Sequence, residues 1–345
     1  MTGTPLPRVL LVGAGAMGSH HARVISESDR SRLVAVVDPS EHAGRRLARR
    51  FDADWAPKLE DLSRVDAVVV ACSTDQHVTV ASDVLAAGIP LLVEKPLSAS
   101  LSDSKEMVDT ALRCGVPLMC GFIERFNPAV RELLARAESP VGVCTQRLSS
   151  YSPRMHAGVS WDLLVHDLDL TIGLFGKDTP QVVRATVERH SGGGRKGEDT
   201  VTTELRFPGA RRASLTASRV SDTRTRRLTV VEHDRTMVAD LLNPCVTVYP
   251  RPSHASFDAS AAAPPADSPA ESIECGGRRE PLAAQWDRFM DLAAGQADTI
   301  AEARSILPSH ETVAAILDSA RTEEPEGAGG RDNVSIPSPH LKGVT

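Results

Sequence analysis

The chain has 345 residues, of which 41% are hydrophobic and 24% charged, and its net charge is -6. This length accommodates two domains with full cores. The acidic balance leaves no broad basic surface, which argues against nucleic acid as a partner. No apolar run is long enough to span a membrane and the first residues show no secretory pattern, so we expect a cytoplasmic protein without membrane contact.

The cysteines occur singly, without the C-x-x-C pairs that are typical of zinc sites. We therefore expect reduced thiols packed in apolar segments, and we predict neither a disulfide framework nor a metal site. The six residues are Cys72, Cys114, Cys120, Cys144, Cys245 and Cys275.

An apolar run at 8–12, typical of a buried parallel strand, leads directly into Gly13-x-Gly15-x-x-Gly18. In a dinucleotide-binding turn the first glycine permits the tight bend and the second lets the backbone approach a pyrophosphate. The third lets the following helix pack closely on the sheet, with its N-terminus facing the phosphates. The residues predicted to contact the cofactor here are Gly13, Gly15, Ala16, Met17 and Gly18.

Asp38 ends a second apolar strand, at 32–37, about 20 residues beyond the glycines. A carboxylate at this position accepts the ribose hydroxyls of the adenosine, although Asp38 is also a good turn former before Pro39. Its charge would repel a 2′-phosphate, which favours NAD over NADP as the cofactor. Arg45 and Arg46 lie nearby in sequence and leave NADP as the less favoured alternative.

Further apolar strands at 66–72 and 89–93, with a helix at 78–87 between them, continue the alternation of strands and helices. This alternation predicts an α/β Rossmann domain with a doubly wound parallel sheet. Its ligand should lie beyond the carboxyl ends of the strands.

Lys95 stands at one of these carboxyl ends, within Glu94-Lys95-Pro96. A cation there can bond a substrate hydroxyl or stabilise the alkoxide that forms as hydride moves. The alternative is a surface lysine paired with Glu94.

The glycine motif, Thr74-x-x-His77 and Glu94-Lys95-Pro96-Leu97 together resemble the Gfo/Idh/MocA family of NAD(P)-dependent oxidoreductases. Family members usually carry a proline in the loop before the histidine, where this chain has Ser73. The resemblance implies that the cofactor lies beside Ser73, Thr74, His77, Glu94 and Lys95.

The segment 124–129, Glu-Arg-Phe-Asn-Pro-Ala, resembles a segment of family members that act on UDP-N-acetylglucosamine or related nucleotide sugars. That similarity implies that Arg125 and Asn127 line the substrate cleft. The alternatives are an ion pair for Arg125 and a helix N-cap for Asn127, which precedes Pro128.

Asp162, His166 and Asp169 are spaced four and three apart, so a helix would place all three on one face. Such a stripe is costly to bury on an apolar helix unless it faces a site or finds partners. The spacing from Gly158 to His166 also matches a family pattern, which implies that Lys95, Asp162 and His166 are catalytic. Asp169 would contact substrate or support the site from the helix surface.

In that assignment His166 is the base, since a histidine pKa lies near the working pH. Lys95 would orient the hydroxyl and stabilise developing negative charge, or itself be the immediate acid or base. Asp162 would hold the imidazole or a neighbouring sugar hydroxyl.

Alternating segments in the second half predict a large, mainly antiparallel sheet, and hence an α+β domain. One face should cover the helix with His166, and the other should be open. An apolar patch of that size predicts self-association, and the resemblance implies a homodimer or homotetramer through this sheet. The segments are 143–148, 182–188, 200–207, 212–218, 227–232, 235–241 and 245–249.

These patterns divide the chain into an NAD-binding Rossmann domain at 1–122, a substrate-binding and oligomerisation domain at 123–322, and a disordered tail at 323–345. A flexible insertion is predicted at about 251–277, from its Ala, Pro and Ser content. The last two helices are predicted at 281–295 and 300–321.

The leading hypothesis is an NAD-dependent oxidoreductase acting on a secondary hydroxyl or ketone of a sugar, with the 3-position of a nucleotide-activated sugar such as UDP-N-acetylglucosamine as the best guess. Arg125, Arg147 and Arg154 are candidate cations for a diphosphate, or else solvated surface residues. The alternatives are an inositol or free-sugar dehydrogenase, a ketosugar reductase, and a non-catalytic NAD-binding regulator.

Overall fold

The computed structural model describes residues 5–151, 158–176, 178–189, 197–250, 270–276 and 279–323, with side chains as far as 320. Three predictions therefore lie outside the described residues. They concern Arg154, the tail at 324–345 and most of the predicted flexible insertion, at 251–269.

In the described part of the chain, six parallel strands form the first sheet: β1 (Arg8–Val12), β2 (Arg32–Val37), β3 (Asp54–Ala56), β4 (Ala67–Val70), β5 (Leu91–Val93) and β6 (Leu118–Cys120). Their order is β3-β2-β1-β4-β5-β6, so the sequence order reverses between β1 and β4. Doubly wound sheets bind their ligand at this reversal, beyond the carboxyl ends of the strands. The prediction of a Rossmann-type parallel sheet is confirmed.

Helices cover both faces of this sheet, which is why its strands are almost continuously apolar. The helices are α1 (Ala16–Glu27), α2 (Glu41–Arg50), α3 (Thr74–Ala86) and α4 (Leu101–Cys114). α4 shows how local sequence sets the ends. Ser100 Oγ accepts a hydrogen bond from Asp103 N at its start, and Gly115 closes it with a φ of 65°.

After β6 the chain passes through a 3₁₀ turn, Ile123–Phe126, and helix α5 (Pro128–Arg136) into the second sheet. The strands of that sheet are β7 (Gly142–Leu148), β8 (Gln181–Glu188), β9 (Thr200–Arg206), β10 (Arg212–Ser218), β11 (Thr225–Val231), β12 (Arg235–Asp240), β13 (Cys245–Pro250) and β14 (Glu271–Glu274). Their order is β14-β13-β12-β11-β7-β10-β9-β8, and β7 with β10 is the parallel pair in an otherwise antiparallel sheet. The predicted α+β architecture is confirmed.

β14 corrects one prediction, because Glu271–Glu274 falls inside the stretch predicted as a flexible insertion. This segment pairs antiparallel with β13, Val246 opposite Ile273. A short strand of this kind has too few residues to show alternation, and it is stabilised by its neighbour rather than by its own composition.

The inner face of the second sheet packs against α6 (Val165–Leu174) and α9 (Leu307–Glu323). The outer face is exposed and polar. Thr202, Thr216, Gln146 and Arg227 lie side by side across four neighbouring strands, with Thr202 Oγ1 3.3 Å from Thr216 Oγ1. The prediction that this face is open is confirmed. The prediction that it is apolar is wrong, because alternation along the strands places threonine and charged residues outward.

Two helices, α7 (Pro281–Ala293) and α8 (Thr299–Arg304), precede α9. α7 lies against α1, and Trp286 and Phe289 enter the core of the first sheet. The single helix predicted at 300–321 is two helices, which are separated by a turn at residues 305–306, with Pro308 in the first turn of α9, where proline is tolerated. The boundary between domains at 122 and 123 stays a prediction, with the difference that α7 completes the first domain's core.

Candidate active site

The glycine turn after β1 has the shape expected for a pyrophosphate. Gly13 has a φ of +105°, and a Cβ there would lie 2.5 Å from Ala71 O. A Cβ on Gly18 would lie 1.9 Å from Gly13 O, so α1 can pack only with glycine at that position. A Cβ on Gly15 would meet nothing within 4 Å, and no side chain caps the start of α1. The backbone amides of Gly15, Ala16 and Met17 therefore stand at an exposed helix N-terminus that suits an anion.

Asp38 lies beside this turn, at the carboxyl end of β2. Its Oδ2 accepts a hydrogen bond from Ala14 N at 2.7 Å, and its Oδ1 accepts one from Ser40 N at 2.8 Å. Asp38 therefore organises the turn before α2 and also presents a carboxylate next to the glycine motif. Both interpretations from the sequence describe the same residue, and the position fits the ribose of NAD.

The two arginines that kept NADP open differ in their surroundings. The Arg45 guanidinium stacks 4.4 Å from the centre of the Trp55 ring and pairs with Glu41 at 2.8 Å. Arg46 lines a groove of about 350 Å³ with Ala14, Ser19, Leu47 and Arg50. Arg45 is thus engaged elsewhere, and the carboxylate of Asp38 is the charge nearest the turn.

Ser73 occupies the N-cap position of α3 without a capping hydrogen bond from its side chain, and Thr74 is the first residue of the helix, so both stand at the carboxyl end of β4 as predicted. His77 is buried, with Nδ1 3.1 Å from Pro96 O and Nε2 3.3 Å from Cys72 O. Burial is the main reason that its pKa is lowered. The ring is enclosed between two strand ends that it holds together, and its contact with the cofactor stays a prediction.

Glu94 is likewise enclosed by its neighbours. One carboxylate oxygen lies 2.8 Å from His21 Nε2 on α1, and the other accepts a hydrogen bond from Lys95 N at 3.2 Å. A Cβ on Gly121 would lie 2.7 Å from this carboxylate, so the surroundings enclose it tightly. Glu94 therefore fixes the turn that carries Lys95, and its contact with the cofactor stays a prediction.

Lys95 points across to the second domain. Its Nζ lies 2.6 Å from Asp162 Oδ1 and 2.8 Å from Asp162 O, so the alternative pairing with Glu94 is wrong. The two side chains keep 19% and 26% of their surface exposed. The ammonium is therefore held by two acceptors and remains accessible to a substrate.

His166 lies within electrostatic reach of this pair. Burial lowers its pKa well below the usual value, and the charges of Lys95, Arg147 and Arg226 lower it further. Its Nδ1 has no hydrogen-bond partner among the described residues, and the ring packs edge-on against Phe122 at 6.2 Å. The imidazole is therefore neutral at ordinary pH, which is the form that can accept a proton.

Asp169 does not share a site with these three residues. Its carboxylate accepts two hydrogen bonds from Arg125, at 2.7 and 2.5 Å, and Arg125 also contacts Glu302 at 3.2 Å. Arg125 and Asp169 line a separate groove of about 710 Å³, and the groove lining includes none of Lys95, Asp162 or His166. Arg125 takes its alternative interpretation, an ion pair, and the substrate contacts of Arg125 and Asp169 stay a prediction.

The helix is also not regular over this whole stretch. The residues Ser160–Leu164 form a π-helical turn before α6, so the spacing between Asp162 and His166 is not that of an α-helix, whereas His166 and Asp169 both lie within α6. Sequence spacing alone assumes an uninterrupted α-helix.

Asn127 is the N-cap of α5. Its side chain accepts from Ala129 N at 3.0 Å and donates to Glu124 and to Leu241 O, and the residue is buried. The capping alternative is confirmed, and a substrate contact of Asn127 stays a prediction.

A buried ionic network that the sequence analysis missed supports the floor of the site. Arg147 is 2% exposed and pairs with Glu124 at 2.9 Å and with Asp167 at 2.7 Å. Arg226 reaches the same Glu124 oxygen at 3.1 Å. Arg147 is therefore neither a free cation for a diphosphate nor a solvated residue. Its inward position follows from alternation along β7, a signal that could have identified it.

These ion pairs set the charge state of the two carboxyls. Burial alone would raise the pKa of Glu124, but Arg147 and Arg226 outweigh that cost and lower it. Burial raises the pKa of Asp167 in spite of Arg147, and its Oδ2 has no partner among the described residues.

The described residues contain neither a metal-binding cluster nor a membrane-spanning helix. Within those ranges no group of three or more His, Cys, Asp or Glu side chains is arranged to hold a metal ion. The same residues contain no helix both long and apolar enough to cross a bilayer.

Comparison with known proteins connects this arrangement to enzymes. A model of the GFO/IDH/MocA oxidoreductase family, NAD-binding Rossmann fold, matches residues 7–122, and a GFO/IDH/MocA C-terminal domain model matches 134–237. UDP-N-acetylglucosamine 3-dehydrogenase of Acidithiobacillus ferrooxidans is 29% identical over 251 residues, which are 71% of this chain and 77% of that protein. Inositol 2-dehydrogenase 4 of Saccharopolyspora erythraea is 34% identical over 188 residues, or 51% of this chain and 56% of that protein.

The solved structure of the Acidithiobacillus ferrooxidans enzyme is similar over most of its length. It superposes with a TM-score of 0.80 at 25% identity, covering 92% of this chain and 99% of that one. The two family models together span more than half of the chain, and the glycine turn and both sheets agree with them. The chain therefore belongs to the GFO/IDH/MocA family of NAD-dependent oxidoreductases.

Proposed function

We propose that this protein transfers hydride between NAD and a secondary hydroxyl of a sugar, with the 3-hydroxyl of UDP-N-acetylglucosamine as the first candidate substrate. The observation that carries the chemistry is the Lys95–Asp162 pair beside a neutral, buried His166, beyond the carboxyl ends of the parallel strands. The candidate substrate is supported by the 3-dehydrogenase relative, which aligns with 71% of the chain.

In the oxidation direction each side chain has one task. His166 takes the hydroxyl proton, because its imidazole is kept neutral by burial and by neighbouring cations. The Lys95 ammonium bonds the same oxygen and stabilises the negative charge that develops there. Asp162 fixes the ammonium by two contacts. Bound NAD supplies the acceptor for the hydride, and Gly15 and Asp38 would hold it.

A second candidate, an uncharged cyclitol or free sugar, is favoured by a specific observation. Two of the three arginines considered for a diphosphate, Arg125 and Arg147, are tied to carboxylates by ion pairs of 2.5 to 3.2 Å. Among Lys95, Arg147 and Arg226, the three cations near His166, Arg226 has the most exposed side chain, at 31%. The inositol 2-dehydrogenase relative is consistent with this candidate.

A substrate panel tests both candidates. Purified protein with NAD or NADP would be mixed with UDP-N-acetylglucosamine, UDP-N-acetylgalactosamine, free sugars and inositols, and the formation of reduced nicotinamide followed by absorbance. Reduction of NAD by a UDP-N-acetylhexosamine alone would support the first candidate, and reduction by myo-inositol would support the second. The reverse assay, with ketosugars and reduced NAD, would detect a protein that works as a ketosugar reductase.

A protein that binds NAD without chemistry is the remaining alternative, and the Lys95→Ala variant separates it from an enzyme. An enzyme should lose orders of magnitude in turnover in this variant while its affinity for NAD stays the same. If the wild-type protein binds NAD but no member of the panel reacts in either direction, the proposed function is wrong.

We also propose that two or more copies associate through the open face of the second sheet. The face spans eight strands and presents β-branched threonines at aligned positions, such as Thr202 and Thr216. Light scattering would test this, with Thr216→Lys expected to dissociate the assembly. A monomer at all concentrations would contradict it.

A cytoplasmic location is the last part of the proposal. All six cysteines are free thiols in the structure, which is typical of a reducing compartment. Cell fractionation with a tagged full chain would test it.

A further inference from the structure

One buried histidine outside the catalytic group contacts the turn that carries Lys95. His310, on α9, is completely buried, and its Nε2 accepts a hydrogen bond from Leu97 N at 3.1 Å. Its Nδ1 lies 3.0 Å from Ile306 O, one helical turn earlier. A carbonyl can only accept, so the proton is on Nδ1 and Nε2 is the acceptor. The tautomer is therefore set by the structure itself.

The same ring packs against neighbours of the other two catalytic residues. Its centre lies 5.9 Å from the Phe122 ring, which also packs against His166 at 6.2 Å. It lies 5.8 Å from the Trp161 ring, and Trp161 directly precedes Asp162. One imidazole thus contacts the turn of Lys95, the neighbour of Asp162 and the ring that packs on His166.

The turn of Lys95 is fixed at three points by three buried histidines. His21 holds Glu94, His77 lies against Pro96 O, and His310 holds Leu97 N. His310 differs from the other two because α9 packs on the second sheet and on α6. It therefore ties the turn to the domain that carries Asp162.

We propose that His310 is a positioning residue that sets where the Lys95 ammonium stands relative to Asp162 and the reacting hydroxyl. This inference rests on the proposed function. The competing explanation is that His310 only fills space in the core. The two differ in which atom matters: positioning needs the acceptor at Nε2, whereas filling needs only the volume.

Burial supports this role from a separate direction. It lowers the pKa of His310 to about 4, so the ring stays neutral and keeps its acceptor across the ordinary working range. A lysine at position 310 would carry only N–H donors, so it could not accept the hydrogen bond from Leu97 N.

Two conservative substitutions divide the hydrogen bonds of the ring. The amide of glutamine overlays Nε2, so His310→Gln keeps an acceptor for Leu97 N. The amide of asparagine overlays Nδ1, so His310→Asn keeps the donor to Ile306 O and loses the acceptor. We expect His310→Asn to lower kcat roughly 10- to 100-fold, because small misplacements of catalytic groups have effects of that size. His310→Gln should stay within about threefold of wild type, and KM for NAD should be unchanged in both.

A double-mutant cycle tests whether the effect passes through Lys95. In a Lys95→Met background, His310→Asn should cost little further activity, because the side chain that it positions is already gone. His310→Leu serves as a second variant that fills the space without an acceptor. If His310→Leu turns over like wild type, or if His310→Asn and His310→Gln lose equal activity, the positioning role is overturned.

A labelling experiment decides the inference even without a known substrate. Acetylation of the full chain would be followed by mass spectrometry, comparing Lys95 with Lys58, an exposed lysine paired with Glu60 at 3.1 Å. Loss of positioning should raise the labelling rate of Lys95 several-fold in His310→Asn and leave Lys58 unchanged. An unchanged Lys95 rate in a folded His310→Asn protein would overturn the inference. Failure of the substrate panel alone would count against the proposed function and not against this.

Discussion

Replacing Asp162 by asparagine removes the charge that faces Lys95 and leaves the shape of the side chain almost unchanged. The Lys95 Nζ to Asp162 Oδ1 distance is 2.6 Å, and the contact to Asp162 O at 2.8 Å survives the substitution. Coulomb attraction between unit charges this close is about 6 kcal/mol at an effective dielectric of about 20. Desolvation and screening of two partly exposed groups leave roughly 1–3 kcal/mol of it.

That range predicts the size of the effect on catalysis. About 1.4 kcal/mol corresponds to a tenfold change in rate, so kcat for Asp162→Asn should fall roughly 10- to 100-fold. KM for NAD should not change, because the glycine turn and Asp38 lie on the other domain. Steady-state kinetics with the substrate found in the panel would measure both, and NAD affinity by fluorescence titration would check folding.

The exposed pair Lys58–Glu60 supplies a matched control. Its atoms are 3.1 Å apart, but the side chains are 74% and 61% exposed. Glu60→Gln makes the same charge change and should alter kcat by less than about twofold, because exposed ion pairs contribute little. Full activity in Asp162→Asn, or an equal loss of activity in Glu60→Gln, would contradict the role assigned to the Lys95–Asp162 pair.

Three other substitutions test the surroundings of the site. Arg226→Gln removes a cation that lowers the pKa of His166, so the acid limb of the kcat profile for oxidation should move to higher pH; an unmoved limb would contradict the base assigned here. Arg147→Met leaves Asp167 without its cation and should reduce the free energy of unfolding in urea by about 3–5 kcal/mol at neutral pH. Because burial raises the folded-state pKa of Asp167, this loss should shrink as pH falls through that pKa, and a loss that grows would count against the network. Asp38→Ser should lower kcat/KM for NAD about tenfold and raise the relative use of NADP, and a constant ratio of the two would exclude Asp38 from cofactor choice.

The cofactor turn could be predicted from sequence because its determinants are local. Gly18 is constrained by Gly13 within one strand–turn–helix unit, and the close contact of Gly13 with Ala71 at the end of β4 is the one constraint that comes from elsewhere in the chain. The position of Asp38 at the end of β2 could be predicted for the same reason, because β2 is the next element after α1. Strong alternation likewise predicted the second sheet, although it could not reveal a strand as short as Glu271–Glu274.

The partners of the charged side chains could not be predicted, because they lie far apart in sequence. Lys95 finds Asp162 rather than its neighbour Glu94, and Arg125 finds Asp169 rather than a substrate. His310 meets Leu97 across 213 positions. Proximity of this kind depends on how two domains pack, which no spacing rule contains.

Replacing His166 gives the most direct test of the proposed hydride transfer. Turnover and NAD affinity would be measured side by side for wild type and His166→Gln, with the substrate and direction found in the panel. We expect a loss of several orders of magnitude in kcat with NAD affinity unchanged, because the group assigned to take the hydroxyl proton is removed while the glycine turn is untouched. Wild-type turnover in His166→Gln would contradict it.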